Sequence, residues 1–495
     1  MKNFRITLLP WVLGVAFSLM GAMGQNLTNL PTLTEKQDRV LNGLARDRFG
    51  GRWVDLTPAQ LSDLRKRADA YFENQKRWHL PGGLVASVRF ADTNRSQVAS
   101  YEALNLSAAQ TGYLLGAHAF HFVVMRESRS LTEISNLLTG VERLLRSGPK
   151  PGFVPCFIGR ADDPAYQAYY SRYGGADSSR TGLGKLAFSS KDTNGAALVW
   201  LGGTTRDQYA GLNFGLGMVH KLARDPAIRN RCARAIGLIL DRLAEDDWRI
   251  DEGDGRVTFV TPLLKTALLC TGAAVDPRRF LALYKTNAAL LLEQPAPSVV
   301  RYSDYGPNIS VFANFDVLAR LDTDSGRHLQ FQQRLTQLWR EGESDLNPFF
   351  AALYLDAFER SQNKSGALST LQGMLYPFPP PPRSALSPTG DRSSMTRLAA
   401  NGKEWSRYAL PLPQRPVAPF QWMQSPYELE GPAEPLLEHP GVDFVITFWM
   451  ARESSVIPDE NARPPSAGIR RRFETNSVQL TNLPTAPIVP PKLAP

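Results

Sequence analysis

Cysteine is scarce: Cys156, Cys232 and Cys270 are the only three in 495 residues. So few thiols exclude a disulfide framework, and no Cys-x-x-Cys or Cys/His spacing of a zinc site occurs. At most one bridge can form, and the ordinary place for such cysteines is as small apolar side chains in a core. Long apolar runs are missing beyond the first two dozen residues, so no later stretch is long enough to span a bilayer. Lys and Arg number 56 against 47 Asp and Glu, but they are spread along the chain with no block or motif for a nucleic-acid backbone. Nucleic acid is therefore not an expected partner, whereas the excess permits acidic polymers such as polyuronates. No cofactor motif is present. His118 and His121 share a helix face without a third ligand, which points to packed, hydrogen-bonded histidines instead of a metal site. Asp251 and Asp254 lack the alternate oxygens and distal Glu of a calcium loop.

With 43% hydrophobic and 21% charged residues, the chain can bury a large core. Lys2 and Arg5, the apolar run Ile6 to Met20 and Ala22-Met23-Gly24 make residues 1–24 a signal peptide, so a periplasmic or secreted protein is expected. No Cys follows that run, which leaves no lipid anchor there. Asn26 and Asn94 head Asn-x-Ser/Thr sites that matter only in a glycosylating host. Residues 25–54 are polar.

From about residue 55 the pattern turns helical. Thr57-Pro58 offers a cap and first-turn proline, and Leu61, Leu64, Ala68 and Tyr71 recur at helical spacing. Helical hairpins follow: about 107–126 with 131–145, 207–223 with 226–243, 262–271 with 277–292, and 308–321 with 326–340, then helices at 346–360 and up to Leu375. A short strand is expected at 84–90 and a β-hairpin at 248–259. Residues 149–199 read as a long aromatic loop and 377–440 as a proline-rich, aromatic wrap. Val442 to Arg452 reads as a last core helix, and 453–495 as a mobile tail. Inner helices made of small residues and outer helices opened by Asp-Pro imply a mainly α fold, an α/α toroid with short β-hairpin connections.

Polar chemistry concentrates at one helix entrance, Val199 to Gly217. A glycine turn and Thr204-Thr205 lead into Arg206, Asp207, Gln208 and Tyr209, and Gly211 and Gly215 open the helix surface to a close neighbour. Asp207 also has a plain role as a helix cap or an Arg206 partner, and Tyr209 and Trp200 as core.

Helix order, together with Thr205-Arg206-Asp207-Gln208-Tyr209-Ala210-Gly211, Asp345-Leu346-Asn347-Pro348-Phe349-Phe350 and Asp443 to Arg452, resembles the six-hairpin glycosidase superfamily over roughly residues 55–452. The resemblance implies a cleft at the N-terminal ends of the inner helices and an exported carbohydrate-active protein, a glycoside hydrolase or a uronate polysaccharide lyase, with a glycan or oligosaccharide as partner. Asp207 would sit at the cleft. A helix N-terminus favours the ionised form, which suits a base or orienting carboxylate better than a general acid. Glu102 or Asp304 would supply the second carboxylate, with Asp251 and Asp345 weaker choices; in a lyase Tyr209 would transfer the proton beside Arg206. Arg206, Gln208, Trp200, Tyr169, Tyr170, Tyr173 and Asp304 would contact the sugar. The competing expectation is a non-catalytic glycan-binding or scaffold protein that keeps the cleft without a working acid pair.

Overall fold

A computed structural model describes residues 56–173, 187–192, 194–251, 257–302, 305–357, 365–385, 397–400, 403–406 and 408–460. The expected signal peptide, the polar segment 25–54, most of the expected tail and Asp304 lie outside these residues.

Six helices form an inner ring: α2 (Ser107–Met125), α5 (Arg206–Leu222), α7 (Pro262–Val275), α9 (Pro307–Leu321), α11 (Pro348–Ala357) and α13 (Val442–Glu453). Each packs on the next in that order, and α13 packs back on α2, which closes the ring. Six outer helices back them: α1 (Pro58–Asn74) on α13, α3 (Ser128–Ser147) on α2, α6 (Pro226–Glu245) on α5 and α7, α8 (Pro277–Glu293) on α7, α10 (Ser325–Gly342) on α9 and α11, and α12 (Ser365–Leu375) on α11. This is the α/α toroid expected from the sequence, six inner helices backed by six outer ones. A thirteenth helix, α4 (Pro164–Tyr173), lies outside the ring.

The division of labour follows composition. Every residue of α13 from Val442 to Arg452 is buried, as is α2 from Ser107 to His121. On α3 only one face is covered, through Ile134, Leu137, Leu138, Val141, Leu144 and Leu145. Asp225, Thr261, Asp276 and Asp324 cap the helices that follow them, each accepting a backbone N–H with its side chain. Glycine sets the closest approach in the ring. A Cβ on Gly112 would lie 2.0 Å from Gly211 O, and one on Gly215 would lie 1.9 Å from Gly112 O, so α2 and α5 touch backbone to backbone.

Two sequence expectations need correction. The expected loop 149–199 carries β3 (Phe157–Arg160), α4, β4 (Ala187–Lys191) and β5 (Ala197–Leu201), the strands pairing antiparallel in the order β3-β5-β4. The wrap is not only loop. Its β8 (Arg383–Ala385) and β11 (Glu434–His439) join β1 (Ser87–Phe90) and β2 (Val98–Glu102) in a four-stranded antiparallel sheet ordered β2-β1-β11-β8. The hairpin expected at 248–259 is present as β6 (Arg249–Asp251) and β7 (Val257–Phe259), and the wrap adds a second, β9 (Arg397–Ala400) with β10 (Lys403–Ser406). Cys156, Cys232 and Cys270 are buried, and none of them forms a disulfide. Among the described residues no helix is long and apolar enough to cross a membrane.

Candidate functional site at the mouth of the ring

α2 and α5 run parallel, because Gly211 meets Ala109 and Gly215, one turn on, meets Gly112. The inner helices also meet near their starts, where Asp207 of α5 reaches Ser310 of α9 and Phe312 of α9 stacks on Phe350 of α11. Their N-termini therefore share one end of the ring, the mouth. Thr205 caps α5 by accepting Asp207 N–H, and Gln208 closes the box by accepting Thr205 N–H at 2.8 Å. The amide of Gln208 also donates to Asn105 O at 2.6 Å, tying the start of α5 to the start of α2. Gln208 is thus buried and engaged in positioning the helix.

Asp207, half-buried, turns to the ring axis. Ser310 on α9 donates to its Oδ1, and Tyr113 on α2 lies near enough that its phenol, pushed above the usual tyrosine value chiefly by burial, is pushed further by the Asp207 charge. Side chains from α2, α5 and α9 so converge on one carboxylate at the positive ends of parallel helices. Arg206 next to it is exposed, and its Nε donates to Phe259 O at 2.9 Å. Phe259, 66% exposed, therefore projects beside Arg206 and Asp207 on the rim.

Other sequence candidates sit elsewhere. Tyr209 is buried, its hydroxyl accepting Val154 N–H at 3.3 Å. Glu102, 4% exposed, takes Ser100 Oγ at 2.7 Å, Arg89 Nε at 3.1 Å and Arg172. Trp200 is core, stacked on Phe188 at 4.1 Å. Tyr169 is buried, and so is Tyr166, whose hydroxyl donates to Val199 O; Tyr170 is exposed, and the side chain of Tyr173 lies outside the described residues. The tyrosines of this stretch were expected to serve binding because a polar loop offers little core, but the sheet β3-β5-β4 supplies a core for two of them. His118 stacks on Phe72 and His121 packs on Trp449 with Nδ1 near Ser130 Oγ. No group of three or more metal-ligating side chains occurs among the described residues.

The wrap closes much of the mouth. Phe420 reaches the axis, packing on Tyr113 and Phe349. Trp422 donates its indole N–H to Asp443 O at 2.8 Å, and Arg383 pairs with Asp443 at 2.9 Å. Burial pushes the Asp443 carboxyl up. Asp345, at the entrance to α11, accepts from Tyr427 at 2.6 Å and Arg301 at 3.1 Å; burial raises it too. These two carboxylates anchor the wrap. Between the wrap and the start of α9 a recess of about 230 Å³ remains, lined by Tyr302, Tyr305, Trp405, Gln424, Ser425 and Glu428.

None of Ser310, Tyr113, Phe259 or this recess was singled out by sequence. Ser310 lies 103 positions from Asp207, and no local pattern marks it.

No family model matches the chain, and no curated protein does. Two solved structures are similar to it. A cellobiose 2-epimerase from Spirochaeta thermophila DSM 6192 is 12% identical with a TM-score of 0.40, over 86% of this chain and 100% of that one. A GH76A alpha-1,6-mannanase from Salegentibacter sp. HEL1_6 is 11% identical with a TM-score of 0.28, over 79% and 99%. Likeness at this level carries no argument about chemistry, which rests on the mouth itself.

Proposed function

We propose that this is an exported carbohydrate-active protein that holds a glycan over the mouth of the ring, with Asp207 as the carboxylate that faces it. The supporting observation is the convergence of α2, α5 and α9 on Asp207, beside the exposed Arg206 and Phe259. An apolar ring face, a guanidinium and a carboxylate are the groups that sugars and uronates engage. The recess lies near this point: Gly306, which also borders it, directly precedes α9, four residues before Ser310. Tyr302, Trp405, Gln424 and Glu428, the last accepting from the Gln424 amide, then extend the binding surface.

In a hydrolase Asp207 would activate water or orient the ring, since the helix end favours its charge. A lyase using Tyr209 would first have to draw that phenol out of its contact with Val154. A second reading, glycan binding without turnover, is favoured by the three partners of Glu102 and by Phe420 filling the axis. The test is reducing-end release and unsaturated-uronate absorbance over a glycan panel, with binding measured in parallel. Turnover that falls by about 10²-fold or more in Asp207→Asn supports the enzyme. Binding weakened by Asp207→Asn with no turnover supports the second reading, and no glycan bound by wild type sinks both.

A further inference from the structure

The closed end of the ring, where the inner helices finish, gathers charge around one side chain. Arg320, near the end of α9, lies 3.0 Å from Asp316, 2.6 Å from Asp356 on α11 and 3.4 Å from Glu453 at the end of α13. Its guanidinium also covers Phe120 of α2 at 4.9 Å. Lys221 of α5 donates to Arg320 O at 2.6 Å. Five of the six inner helices therefore meet at this one residue. His328 and Gln332 of α10 face the same place from the outer layer, with Ser454 and Ser455 following α13, around an opening to solvent.

The charges do not balance when all are ionised: two cations, Arg320 and Lys221, meet three carboxylates, Asp316, Asp356 and Glu453. Asp316 is wholly buried and Asp356 nearly so. An uncompensated carboxylate is costly there. It would also lie at the negative ends of parallel helix dipoles, which oppose a further negative charge. One oxygen of Asp316 has no hydrogen-bond partner.

We propose that this cluster is a proton-binding site, in which Asp356 takes up one proton to match two cations and thereby latches the closed end of the ring. Asp356 is the acceptor because it borders the solvent opening, whereas Asp316 does not. Consistently, burial pushes its carboxyl up to about 7, only in part offset by Arg320. The folded chain holds this proton where the unfolded chain, near the ordinary 3.8, has released it. The stabilisation is full below the unfolded value and is lost as pH rises through the folded one.

The test compares urea unfolding of wild type and Asp356→Asn, whose amide imitates the protonated acid, from about pH 4 to pH 8. Every other titratable group is common to both proteins, so their difference isolates Asp356. The expected result is a ratio of unfolding constants that changes by about tenfold per pH unit below 7, in favour of wild type on acidification, and levels off above it. Parallel curves overturn the proposal. Infrared spectra give a second readout: a protonated carboxyl band of the folded wild type that disappears as pH rises through about 7 and is missing from Asp356→Asn supports the site, and no such band overturns it. Lys221→Met, which removes a cation, should move that titration to higher pH, and an unmoved midpoint counts against the charge-matching account.

Discussion

Single residues decide how tightly the ring closes and what faces its mouth. Gly112 allows the backbone contact with Gly211, and the obstructing atoms are main chain, which cannot swing aside. Gly112→Ala is therefore expected to destabilise by about 3 kcal/mol, near the upper end for overpacking. Gly237 on the outer helix α6 is the opposite case, because a Cβ there would meet only Arg279 at 3.7 Å. Gly237→Ala should gain up to about 1 kcal/mol from helix propensity. Urea midpoints of the two variants check the pair, and equal effects would contradict the packing account. The glycines at 211 and 215 were legible in the sequence as a surface for close approach, and Asp207 was legible as a residue at an inner-helix entrance. Its partners Ser310 and Tyr113 were not, because they come from other turns of the ring and carry no local pattern.

Elements were legible where a local rule fixes them. Asp225-Pro226 and Asp276-Pro277 mark helix starts because the carboxylate accepts an orphan N–H and the proline needs no partner. Asp225→Ala, far from the mouth, is expected to cost about 1 kcal/mol with ligand binding unchanged. Denaturant unfolding and a binding isotherm on the same variant check it; a loss of binding would show that α6 matters to the mouth in a way its packing does not reveal. Sheets were less legible. Val88 pairs with Glu438 and Trp200 with Ile158, so the hydrogen-bond partners of β1 and β5 are set by distant chain. A short apolar strand ringed by Gly, Ser and Pro looks like loop until its partner is in place, and residues 149–199 were misjudged for that reason. The wrap was expected to lie over the helical body, and its anchors, Asp443 to Arg383 and Asp345 to Tyr427, are pairs that no spacing announces.

At the scale of the whole molecule, the toroid holds buried histidines and buried aspartates whose titrations act in opposite directions. On the side of α1 and α3, burial pushes His118 and His121 down to about 3. A base depressed in the folded state contributes stability that is present above the unfolded value near 6.5 and is lost as pH falls toward 3. At the closed end Asp356, raised to about 7, contributes stability that grows as pH falls from 7. Between about 6.5 and 4 each of these histidines favours the unfolded chain by about 1.4 kcal/mol per pH unit on acidification, as do His220, pushed down to about 4, and His439, while Asp356 opposes them together with the raised Asp316, Asp345 and Asp443. Removing the opposing Asp356 titration in Asp356→Asn should steepen the loss of stability on acidification below about pH 7 by about one proton. Linkage slopes from urea midpoints measured at half-unit steps decide this. An acid limb that stays unchanged in the variant would mean that Asp356 is already ionised throughout, and that Arg320 alone suffices to hold five helices together.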